Sequence, residues 1–206
     1  MNLALSVATA IACFFSINIV LPAIGIRGGY SKRPFLHSCI LLAALAVCVY
    51  LNQDILPVFF SETVLVAWAA LLVGFFLAHI FYFDRIRFSA RNGEKQRWVS
   101  VFPKTSELML QQLCMLFLLL LMMQFFSAWK SIFVFILSIA VTHIFIFYDH
   151  SFRFGLLAFV GSIVNAFLFA FCTLYLSFGL AVTLALHVAF YLFIAPSILR
   201  ERRLTK

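Results

Sequence analysis

Three side chains in this sequence put a titratable group into or beside a strongly apolar stretch: Glu107, His143 and His187. His143 lies in the run FILSIAVTHIFIFY at 135–148, and His187 in GLAVTLALHVAFY at 179–191. An imidazole surrounded by hydrocarbon is costly, so each needs a partner, a cavity or a task. Near neutral pH an imidazole can take up or release a proton or bind a metal, and a carboxylate can act as a base. Glu107 is the main upstream candidate for a partner to both rings.

The elements that must position them follow from composition. The 206-residue chain is 65% hydrophobic and 11% charged, whereas soluble domains are roughly 45–50% apolar and 25% charged. With a mean hydropathy of +1.11, it reads as all-α, a polytopic transmembrane bundle of about seven spans forming a single membrane domain over 1–206. The spans are expected near 2–21, 35–51, 62–83, 106–126, 131–148 and 154–177, with a seventh ending near Pro196. About 17–24 residues each suffice to cross a core of ~30 Å. Between the third and fourth lies a basic segment, 84–104, whose Phe88, Trp98 and Phe102 among Arg and Lys suit the headgroup layer. Cys13, Cys39, Cys48, Cys114 and Cys172 are odd in number and contain no CxxC, which argues against a disulfide framework or a thiolate zinc site.

Charge sets the orientation. Seven spans place fourteen of the fifteen basic residues on one side and Lys130 alone on the other. The basic side is cytoplasmic, so the N-terminus is outside and the C-terminus inside. The same distribution leaves no soluble basic face for nucleic acid. In this frame His143 lies six residues, or ~9 Å, before the inner break at Asp149, and His187 thirteen residues, or ~20 Å, before Arg200. Glu107 opens the fourth span on the inner side. The trio therefore belongs to the inner half of the membrane, on spans four, five and seven.

Simpler roles exist for each. Thr105 and Ser106 before Glu107 resemble a helix start, where a carboxylate complements the helix dipole. His143 and His187 suit interhelical hydrogen bonds, as do Asn165 and Gln124. Asp149-His150 suits a solvated loop, and Tyr82, Tyr148 and Trp98 an interfacial aromatic belt.

The order Ser106-Glu107-Leu108-Met109-Leu110-Gln111-Gln112, then Ile139-xxx-His143, then His187-xxx-Tyr191 resembles the CPBP family of intramembrane proteases (the CaaX-processing, bacteriocin-processing or Abi proteins). Their signatures are EExxxR, FxxxH and HxxxN or HxxxD. The resemblance covers roughly 104–196 and implies a divergent intramembrane endopeptidase. With Glu107 as the second glutamate, Ser106 stands at the first and Gln111 at the arginine. With Glu107 as the first, Leu108 stands at the second and Gln112 at the arginine. Tyr191 replaces the Asn or Asp. The resemblance implies Glu107 as general base, His143 positioning water, and His187 with Tyr191 as oxyanion donors. A divalent metal such as zinc on His143 and His187, or no metal at all, is compatible with it. The partners implied are membrane lipids and a membrane-associated protein or peptide, in a bacterial cytoplasmic membrane.

Two other classes stay open. One is a non-catalytic membrane adaptor or transporter subunit. The other is a b-type haem protein with His79 and His143 as axial ligands at one depth. The last span has no lysine for a retinal Schiff base, and Gly161-Ser162 lacks the GxSG context of a rhomboid protease.

Overall fold

The computed structural model describes residues 2–25, 33–78, 101–144 and 152–189. It is all-α, with nine α-helices, one π-helical turn and no strand among the described residues. Each of the seven apolar stretches holds a helix in its described part. One, over Thr105–Met123, is long and apolar enough by itself to cross a membrane, counting described residues only. The chain divides into two compact units, Met1–Phe117 and Leu118–Lys206.

In the first unit, α1 (Leu3–Phe15) runs on through a π-helical turn, Ser16–Val20, into the short α2 (Leu21–Ala23). Pro22 has no N–H to continue the α-helical ladder, so the chain widens just before it. Gly25 then ends the run at φ 83°, a conformation that only glycine adopts freely. Pro34 opens α3 (Pro34–Leu51) at a position where the missing N–H costs nothing. A short α4 (Leu56–Phe59) and α5 (Glu62–Ala78) follow, tied by the edge-on contact of Phe60 and Trp68 at 5.6 Å. The first two-thirds of α6 (Val101–Met123) complete this unit.

Helices α1 and α3 make its main contact. Its centre is polar. Asn52 Nδ2 donates to Ser6 Oγ at 2.5 Å and back to Cys48 O at 3.0 Å, and Cys48 Sγ donates to Ser6 O at 3.4 Å. The Asn52 amide thus caps a carbonyl that the end of α3 would leave open while gripping α1.

In the second unit, α7 (Ala128–His143), α8 (Phe152–Tyr175) and α9 (Gly179–Ala189) pack around α8, which contacts both neighbours. Phe135 and Phe169 stack in the core at 5.8 Å, and Trp129 meets Tyr175 at 6.0 Å. Stepping six residues back along α7 matches stepping six forward along α8, so the two helices are antiparallel in a fixed register. Gly179 closes the α8–α9 hairpin so tightly that a Cβ there would overlap the Cys172 carbonyl and lie 2.8 Å from Thr173 Cα.

Large apolar side chains lie on the outside as well as in the core. Phe133, Val66 and Ile11 are more than 60% exposed, whereas Ser6, His37, Asn52, Gln112 and Thr183 are buried.

Candidate functional site

The fourth apolar helix begins at Val101, five residues before the start expected at Ser106. Pro103 falls in its first turn, where proline is tolerated because the first N–H groups have no intrahelical partner. Thr105 and Ser106 are therefore not caps, and no acidic residue lies in the first turn. Glu107 sits well inside the helix, half-buried, so a dipole-capping role does not explain it. The residues 101–104, expected in the preceding loop, are helical; the remainder of that loop, 84–100, lies outside the described residues.

Glu107 does have a close partner one turn on. Gln111 Nε2 donates to Glu107 Oε1 at 3.0 Å. The amide thus supplies a neutral donor at one of the two positions where the CPBP pattern has arginine. Gln112, at the other, is 2% exposed and lies on a different face of α6.

His143 is the last residue of α7 and is half-buried. Its Nδ1 is 2.8 Å from the carbonyl oxygen of Ile139, one turn back. A carbonyl only accepts, so Nδ1 carries a proton, and in the neutral ring Nε2 presents its lone pair. Thr142 Oγ1 donates to the same carbonyl at 2.7 Å and lies 3.2 Å from Nδ1, holding the ring edge in place. A neutral imidazole locked in this tautomer can accept a proton or bind a metal through Nε2.

His187 lies on the stripe of α9 that carries the buried Thr183 and Leu184, three and four residues before it. The helix pairings set the depths of both rings. Eight residues from Phe135, His143 is level with Gly161, eight before Phe169. Eight residues from Gly179, His187 is level with 164–165, eight before Cys172 and Thr173. The two histidines are thus about one turn, ~6 Å, apart in depth along α8.

The other expected residues fare differently. Tyr191, the second oxyanion donor, lies outside the described residues, as do His79, Tyr82, Trp98, Tyr148, Asp149 and His150. No group of three or more His, Cys, Asp or Glu side chains is placed to hold a metal ion among the described residues. His143 and His187 offer two imidazoles without a third such ligand, so no step below is routed through a metal. Asn165 and Gln124, expected as interhelical hydrogen-bond partners, make no such bond within the described residues.

One buried histidine escapes a reading by apolar context. His37 is 2% exposed, and its Nδ1 is 2.7 Å from Arg33 O, the same one-turn device that fixes His143. Its nearness to Arg33 makes it look like a solvated loop residue. The signal was Pro34, which begins the helix before it and turns His37 inward.

Comparison with protein-family models, with curated proteins and with solved structures found no match to this chain.

Proposed function

We propose that the chain is an integral protein of a bacterial cytoplasmic membrane, crossing it seven times with its N-terminus outside, and that it hydrolyses a peptide bond of a membrane-associated substrate in the manner of the CPBP proteases it resembles. The membrane part is supported by the many large apolar side chains exposed on the helix exteriors, with several hydroxyls and amides buried. The single observation that carries the chemistry is the fixed His143 ring. Its Nδ1 proton is committed to the Ile139 carbonyl, which leaves Nε2 as a base inside an apolar unit.

In this reading Glu107 takes a proton from water as the water oxygen attacks the carbonyl carbon. Its carboxylate is held by the Gln111 amide, in place of an arginine. The resemblance gives His143 the part of positioning the water and His187 that of donating to the oxyanion, with Tyr191 as a second donor. The C–N bond then breaks, and the amine leaves with the proton that Glu107 had taken. Water and amide become acid and amine.

The test uses the purified chain in lipid nanodiscs with lipid-anchored, internally quenched peptides. The parent should turn over, and Glu107→Gln should reduce the rate by about 100-fold or more. Lys130→Gln, remote from the proposed chemistry, should not. A parent that cleaves nothing sinks the proposal. So does turnover that survives Glu107→Gln, His143→Ala and His187→Ala alike.

A further inference from the structure

Asn165 is an amide in the middle of a largely apolar helix and makes no hydrogen bond within the described residues. In hydrocarbon such a group costs free energy unless it has a ligand or a partner. Its place on α8 is set by its neighbours along the helix. Asn165, Phe169 and Cys172 follow the i, i+4, i+7 spacing of one helical stripe. Phe169 stacks on Phe135 of α7, and the Cys172 backbone is the closest approach of Gly179 of α9. The stripe therefore faces the groove in which α7 and α9 flank α8, and Asn165 lies on it. Val164, next in the chain, turns outward and is 52% exposed.

The same pairings place Asn165 level with His187 and one turn, about 6 Å, from the level of His143. At that lower level α8 presents Gly161, beside which a Cβ would meet no atom within 4 Å. Two imidazoles and an unbonded carboxamide thus come to one groove, with open space on the same side of the central helix.

We propose that Asn165 completes a polar binding site with His143 and His187, and that the site takes the carbonyl group of a membrane-embedded amide or ester. This rests on the hydrolytic reading for the identity of the ligand, and on the groove alone for the juxtaposition. The Asn165 amide offers two N–H donors and one acceptor. One donor meets the carbonyl oxygen, and His187 can approach the same oxygen from α9. The His143 Nε2 lone pair remains for a protic group one turn deeper. Asn165 is thereby a substrate-orienting residue that no family motif supplied.

The test replaces the amide by an isosteric carboxylate and uses Co(II) alone as the probe. Two imidazoles with one carboxylate form a good first-row metal site, so Asn165→Asp should bind Co(II) about tenfold or more tighter than the parent, with new visible absorption. Val164→Asp, one position round the helix, should gain nothing. The gain should vanish when His143 and His187 are both replaced by Ala. The proposal is overturned if Asn165→Asp binds no tighter than Val164→Asp, or if the gain survives without the histidines. Should the carboxylate prevent folding, a second pair decides. In a background free of the native cysteines, Asn165→Cys with His187→Cys should oxidise to a disulfide, whereas Val164→Cys with His187→Cys should not. Equal cross-linking of the two pairs, or none in either, also overturns it. Neither readout needs turnover, so a parent without peptidase activity would remove the hydrolytic reading while leaving the groove to be judged separately.

Discussion

Glu107 and Gln111 stand one turn apart on α6, and their 3.0 Å hydrogen bond makes a definite demand. If the amide holds the carboxylate in place, Gln111→Leu should lower peptide turnover by about tenfold, in line with loss of one hydrogen bond. Gln111→Arg should restore parent activity, since a guanidinium can donate to the same carboxylate. Rates on the quenched peptides check this. Equal rates in all three proteins would remove Gln111 from the mechanism. At this scale the sequence was informative about residue types and poor about their surroundings. Thr105, Ser106 and Glu107 look like a helix start because hydroxyls followed by a carboxylate often cap helices. Pro103 was the better signal, because proline belongs in a first turn and so places the start before it. The one-turn bond from His143 to Ile139 O leaves no trace in the sequence beyond the helix itself.

At the scale of elements, the apolar runs located the seven longer helices but not the short α4, and the other errors lie at the ends, where a cap or a proline decides. Helix pairing was not legible, since side chains such as Phe135 and Phe169 are interchangeable in an apolar pattern. Two glycines of α8 and α9 show what the packing adds. Gly179 touches the α8 backbone, and a methyl there has no flexible neighbour to displace. Gly179→Ala should destabilise the second unit by about 1–3 kcal/mol, the usual cost of overpacking, seen as a lower midpoint of thermal unfolding in detergent. Gly161 has open space, so Gly161→Ala should be neutral or stabilising by up to about 1 kcal/mol through helix propensity. The reverse order of the two variants would contradict the hairpin geometry. In the first unit, Ser6→Ala and Asn52→Ala should each cost about 1–3 kcal/mol, because each leaves a buried polar partner unpaired. The double variant should cost much less than their sum, since the two share one hydrogen bond.

The whole molecule is governed by where its charges lie. In the proposed seven-span arrangement fourteen of the fifteen basic residues fall in or beside alternate connections or at the C-terminus, so one orientation suits nearly all of them. Lys130 is the exception, and it is exposed at the first turn of α7 beside Trp129. Tyr175, whose ring meets Trp129, is the last residue of α8. Amphipathic rings beside a lone lysine at helix ends are what a membrane boundary favours, because the ring body stays in hydrocarbon while the polar tip and ammonium reach water. With this end at the outer boundary, His143 lies fourteen residues along α7 from Trp129, or ~21 Å, beyond the middle of a core of ~30 Å. The orientation can be tested with a membrane-impermeant maleimide on intact cells carrying a cysteine-free background. Lys130→Cys should be labelled at once, whereas Lys206→Cys should react only after permeabilisation. Labelling of both from outside, or of Lys206→Cys alone, would reverse the assignment and put the two histidines in the outer half of the bilayer, where a substrate anchored from the cytoplasm would not reach them.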